Sequence, residues 1–205
     1  MSPTLPTPGV AGCGNWSLAH DHSLTSSGMP LGLSGAQATK FTLPSGEQAF
    51  LLFGGLDYAA RLSTDLWRYV PSENAWKQWN LPDPYAGPSG RIHHSMLRVT
   101  DPSAARGNGT EPIDNGAARI LCFGGQNLGG IVLDDMWVFD PEADPEASGS
   151  KGRWYAVDYL DGAGTSSQGP DARYGHRAAA TQRGSLIIFG GNGMARGIAD
   201  TAVCA

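Results

Sequence analysis

Three short apolar runs, each closed by a glycine pair, set the terms for what this chain can fold into: Phe50-Leu51-Leu52-Phe53-Gly54-Gly55, Ile120-Leu121-Cys122-Phe123-Gly124-Gly125 and Leu186-Ile187-Ile188-Phe189-Gly190-Gly191. The second glycines lie 70 and 66 residues apart, a spacing that fits tandem structural units carrying long loops. Twelve residues beyond Gly55 and Gly125 stand Trp67 and Trp137, in Asp65-Leu66-Trp67-Arg68-Tyr69-Val70-Pro71 and Asp135-Met136-Trp137-Val138-Phe139-Asp140-Pro141. Trp76 and Trp154 follow these, the second after eight extra residues that read as a loop insertion. Upstream, Gly87-Pro88-Ser89-Gly90-Arg91-Ile92-His93-His94 matches Gly169-Pro170-Asp171-Ala172-Arg173-Tyr174-Gly175-His176. The first unit is degenerate here, and its spacing predicts His22 in the place of His94 and Ala19 in that of Arg91.

Such units are sheets rather than helices. Glycine and proline supply 29 and 14 of the 205 residues, and only 16% are charged, so turns are frequent and continuous helical stretches are not. The second unit holds four segments with strand chemistry, 91–100, 119–123, 136–139 and 154–159, each short, rich in aromatic or β-branched residues and bounded by turn residues. The reading divides the chain into a flexible leader at 1–18 and a first unit at 19–80. A second unit follows at 81–159 with insertions near 101–118 and 141–152, then a third at 160–205. No apolar run approaches the twenty or so residues that span a bilayer, and the opening lacks the basic and apolar regions of a secretory signal, so a cytoplasmic location is expected.

The four-strand units, the glycine pair closing the second strand and the tryptophans of the third and fourth together resemble the kelch repeat, over roughly His22 to Asp200. That resemblance implies an all-β partial β-propeller of four-stranded antiparallel blades, two complete and a third truncated. In such a fold the inner strands are buried on both faces, which accounts for unbroken runs such as that of Leu186 to Phe189. The glycines supply positive φ, the tryptophans fill the space between blades, and Asp65 and Asp135 are expected to accept backbone N–H groups before the third strand. A tryptophan equivalent to Trp67 is expected at 203, where the sequence has Val203, so the third strand of the last unit is expected to be missing and the chain to be a fragment. Open blade edges then favour self-association.

Function follows from what remains. A net charge of -5 without a basic patch argues against nucleic acid. Cys13, Cys122 and Cys204 are too far apart for zinc spacing and too odd in number for a disulfide framework. The sequons at Asn15 and Asn108 matter only to a secreted chain. His20, His22 and His93 invite a metal, but exposed or locally bonded histidines are the simpler account, and His94 and His176 recur with the repeat and so read as structural, as do Arg91 and Arg173, expected to bond backbone carbonyls. The segment Gly191 to Gly197 departs from a dinucleotide loop at Arg196. Resemblance to the kelch-like galactose oxidases raises a copper site, for which Tyr58, Tyr69, Tyr85, Tyr155, Tyr159 and Tyr174 form no distinctive ligand pattern. The reading is therefore a non-catalytic protein-interaction module with no cofactor and no metal. Its protein partner is expected on the loops after the second strands and between units, at Tyr58, Arg61, Tyr85, Gln126, Asn127, Asn192 and Arg196. The alternative is part of a larger protein that carries a catalytic domain.

Overall fold

The computed structural model describes residues 28–43, 46–83, 85–100, 118–141, 151–159, 168–181, 186–194 and 197–204. Within them the chain is entirely β, in three antiparallel sheets. The first holds β1 (Gln37–Thr42), β2 (Gln48–Phe53), β3 (Leu66–Val70) and β4 (Ala75–Gln78) in sequence order. The second repeats this with β5 (Ser95–Thr100), β6 (Ala118–Phe123), β7 (Met136–Asp140) and β8 (Arg153–Ala156). The third has β9 (Arg177–Ala180), β10 (Leu186–Phe189) and β11 (Thr201–Cys204). The sheets stack side by side with β1 against β5 and β5 against β9, consistent with successive blades of a partial propeller.

Register makes the repeat exact to the residue. Phe53, Phe123 and Phe189 pair with Gln37, Ser95 and Arg177 on one side and with Leu66, Met136 and Thr201 on the other. Two sequence expectations change as a result. The places of Arg91 and His94 in the first sheet belong to Leu33 and Ala36, not to Ala19 and His22, which lie outside the described residues. The last unit does possess its third strand, and Ala202, opposite Ile188, occupies the tryptophan position rather than Val203. The loop preceding it is one residue shorter than in the other units, so Asp200 stands where Asp65 and Asp135 do.

Burial follows from the strand period of two. In β6, Ile120 and Cys122 point to the first sheet and Leu121 and Phe123 to the third, and all four are buried. The end sheets bury one face each. Ala49, Leu51 and Phe53 of β2 pack against the second sheet while Phe50 is exposed, and Leu186 and Ile188 of β10 are buried while Ile187 and Phe189 face out. The expectation that inner strands are covered on both sides thus holds for the middle sheet alone. Between the first two sheets Trp154 packs on Phe53 and Phe139, and Trp79 meets Phe41 and Phe139 edge-on. Trp76, opposite Tyr69 as Trp154 is opposite Phe139, sits half-buried on the open face. The first insertion, 101–117 of it, and residues 142–150 of the second lie outside the described residues.

The first two glycine pairs join neighbouring sheets. The pairs have φ of 70° and 97°, 65° and 98°, and 66° and 96°. A Cβ on Gly54 would come within 2.6 Å of the Arg91 carbonyl oxygen, and one on Gly124 equally close to that of Arg173. The N–H groups of Gly55 and Gly125 donate to these same carbonyls at 2.8 and 2.9 Å, so the absence of a side chain lets backbone meet backbone across the seam.

Candidate functional site

Four of the residues that recur in the sequence form a buried brace in the second sheet. The Arg91 guanidinium, with no exposed surface, donates from Nη1 and Nη2 to the two oxygens of Asp135 at 2.6 and 2.8 Å, from Nη1 to the Gly124 carbonyl at 3.0 Å and from Nε to the Ser89 carbonyl at 2.9 Å. The Trp137 indole N–H donates to the same carboxylate at 2.7 Å. Burial alone would push the Asp135 carboxyl up, but the hydrogen bonds and charge of Arg91 outweigh it and hold the group below its ordinary value. The third sheet repeats the brace: Arg173 reaches Asp200 at 2.6 and 3.3 Å, the Gly190 carbonyl at 3.2 Å and the Asp171 carbonyl at 3.0 Å. The expected arginine–carbonyl bonds are therefore present. Asp135 serves a guanidinium and an indole as well as a backbone N–H, its own, and the role of Asp200 escaped the sequence because its loop is one residue shorter.

The recurring histidines lock one sheet to the one before. His94 stands edge-on to Phe53, centroids 5.7 Å apart, and His176 stands likewise to Phe123 at 5.3 Å. His176 Nε2 lies 2.9 Å from Ser95 Oγ, whereas neither ring nitrogen of His94 has a partner among the described residues. Burial, reinforced by Arg91 and the neighbouring imidazoles, depresses His94 to about 3; burial with Arg173 and Arg177 depresses His176 to about 4. Both are neutral packing groups at neutral pH. Burial also pushes the Cys122 thiol up to about 12, which leaves it without thiolate character. Among the described residues no group of three or more His, Cys, Asp and Glu side chains comes together as a metal would need, and no helix is long and apolar enough to cross a membrane. His20 and His22 fall outside the described residues.

The residues expected to meet a partner occupy one end of the sheets. Ser34, Ile92 and Tyr174, just before each first strand, bridge to Leu56, Gln126 and Asn192, just after each second strand, so the inter-unit loops and the loops leading to the third strands share that end. Tyr58 and Tyr85 stand in solvent there, 85% and 94% exposed. Arg61 is ion-paired to Asp57 at 2.9 Å, and Asn192 is exposed. Gln126 is half-buried in its bridge. Asn127 uses its side-chain oxygen to accept the N–H groups of Gly129 and Ile131, as Asp57 does for Ala59 and Arg61, so it shapes its own loop. Arg196 lies outside the described residues. Two clefts open near this end. One of about 500 Å3 in the third sheet is lined by Asp171, Met194 and Asp200, and one of about 350 Å3 in the first by Leu33, Asp65 and Trp67.

Comparison with known proteins adds a fold-level likeness. The chain is 29% identical over 161 residues to multiple epidermal growth factor-like domains protein 8 of Homo sapiens, a match covering 78% of this chain and 4% of that protein. It is 25% identical over 156 residues to an F-box/kelch-repeat protein of Arabidopsis thaliana, covering 73% of this chain and 27% of the relative. The chain thus spans only a small part of these relatives. No protein-family model matches it. A solved structure described as "Cryo-EM structure of RAG in complex with one melted RSS and one unmelted RSS" superposes with a TM-score of 0.50 at 13% identity, over 88% of this chain and 53% of that one. The plant relative carries the kelch repeat in its name, and the solved chain is similar to this one in fold alone.

Proposed function

We propose that the chain is a set of kelch-type blades acting as a non-catalytic protein-interaction module, with its partner on the loop end that carries Tyr58 and Tyr85. The observation that carries this reading is the near-complete exposure of two tyrosines at one end, on loops turned by Asp57 and Asp83, while Arg91, His94, Arg173 and His176 are buried. Tyrosine supplies large contact area at low entropic cost, the chemistry enriched at binding hot spots. Arg91 with Asp135 and Arg173 with Asp200, which a catalytic reading would recruit, are engaged in bracing their own sheets, and His176 in bonding the sheet before it. A cytoplasmic location accompanies the proposal on the sequence reading alone. The open faces at Phe50 and at Ile187 and Phe189 favour, as a second reading, further blades of a larger protein packing against both ends.

Quantitative mass spectrometry of partners captured by the wild-type chain and by the Tyr58→Ala/Tyr85→Ala double variant tests the site. The proposal expects specific partners to drop at least about tenfold in the variant while its urea midpoint stays put, since surface changes usually cost no more than about 0.5 kcal/mol. Retention of every specific partner by the stable variant would refute it.

A further inference from the structure

The three sheets carry three copies of one site, and two of them hold a guanidinium. In the second and third sheets an aspartate before the third strand and the carbonyl of the first glycine converge on Arg91 and Arg173. In the first sheet the corresponding groups are Asp65 and the Gly54 carbonyl, but the arginine position is Leu33. Among the described residues no cation replaces it. Asp65 accepts one hydrogen bond, from Gln78 Nε2 at 3.0 Å, and Arg61, which borders the same space, is held by Asp57. What is left is the cleft of about 350 Å3, walled by Leu31, Leu33, Leu62, Ser63, Asp65 and Trp67.

We propose that this cleft binds the guanidinium of an arginine side chain presented by a partner polypeptide. The proposal rests on the protein-interaction reading and deepens it. The Asp65 carboxylate on the cleft wall stands where this fold twice pairs an aspartate with a guanidinium, through both carboxylate oxygens in the second sheet, and the Gly54 carbonyl holds the backbone position whose counterpart there accepts from the same guanidinium. A planar fork with five donors satisfies that arrangement, whereas an ammonium meets it as a single point of charge, so the site discriminates arginine from lysine. The exposure of Asp65 does not disqualify it: the Asp135 and Asp200 side chains remain 38% and 54% exposed even when paired.

The test titrates the full chain, isotopically labelled, with N-acetyl-arginine amide, following the amides of Gly54 and Asp65 and the Trp67 indole by NMR. N-acetyl-lysine amide and N-acetyl-citrulline amide serve as controls. The expected result is saturable shifts for arginine, binding at least about fivefold weaker for lysine and none for citrulline. Asp65→Asn should abolish the arginine shifts, and Leu33→Arg should fill the cleft from within, abolish them too and raise the urea midpoint. If Leu33→Arg does not fold, Asp65→Asn at its exposed position still decides. Equal response to lysine and arginine, or shifts that survive Asp65→Asn, would overturn the site. A blocked Ser-Gly-Arg-Ile peptide, the sequence that presents Arg91 to the second-sheet copy of the site, should bind more tightly than the single residue, and preference for free arginine would overturn the polypeptide source. Capture through Tyr58 and Tyr85 is read separately, so it can survive the loss of this site.

Discussion

Lowering the pH from 7 to 5 should strip this protein of about 4 kcal/mol of stability, through two histidines that the fold keeps neutral. His94 and His176 are 2% and 3% exposed and depressed to about 3 and about 4, against an ordinary value of 6.5 that applies once the chain unfolds. Below pH 6.5 the unfolded chain takes up two protons that the folded chain refuses, so stability rises with pH over this window and falls as acid is added. Each group contributes a slope of about 1.4 kcal/mol per pH unit in the fully developed region, and integrating from pH 7 to 5 gives about 2 kcal/mol apiece. Aspartates titrate lower, so they add little above pH 5. Urea unfolding followed by tryptophan fluorescence at pH 7, 6 and 5 reads the loss directly. With an m value of about 2 kcal/mol/M the midpoint should drop by about 2 M. His176→Gln, which removes one titrating group, should roughly halve the pH dependence. A midpoint that moves by less than about 0.3 M across the range would refute the reasoning, because it would mean that these imidazoles accept protons in the folded state.

The brace can be broken selectively: Arg91→Leu leaves the Gly124 carbonyl without this donor and the Asp135 carboxylate without its guanidinium, the Trp137 indole remaining, and should cost about 3 kcal/mol in chemical denaturation, with the Asp135 carboxyl titrating higher by NMR. Gly54→Ala forces a Cβ to 2.6 Å from a neighbouring carbonyl oxygen at a φ of 70°, so it should cost about 3 kcal/mol or prevent folding. Gly46→Ala, at a φ of 85° with nothing within 4 Å, should cost only about 1 kcal/mol. Phe123→Ala should lose about 4 kcal/mol from a fully buried position, while Phe189→Ala, at 58% exposure, should lose less than about 1 kcal/mol by the same measurement.

Much of this architecture is legible in the sequence because it repeats. The apolar run closed by two glycines locates the second strand of each sheet, and the tryptophans with their spacing locate the third and fourth, so the all-β class and the order of the strands follow from self-comparison. Where the repeat is altered the reading slips. His22 and Ala19 fit the spacing of the second unit only because that unit carries a long insertion, and a loop one residue shorter moved the expected third strand of the last unit past Thr201 and Ala202. Spacing counts residues, and loops of different length break the count.

By itself, then, the sequence determined the local chemistry: strands from short apolar runs, close backbone approach from Gly54, Gly55, Gly124 and Gly125, and two sets of Arg and His in matched places. Only the tertiary structure decided what those groups meet. The pairing of Arg91 with Asp135 joins residues 44 apart, and that of Arg173 with Asp200 joins residues 27 apart, with no periodic signal in common. The exposure of Phe189 and the burial of Phe123 are equally invisible in local phrases that share the same apolar-Phe-Gly-Gly pattern. The reason is physical. Strand propensity and turn chemistry act over a few residues along the chain, whereas burial, ion pairing and the cleft beside Leu33 depend on which sheet stands next in space.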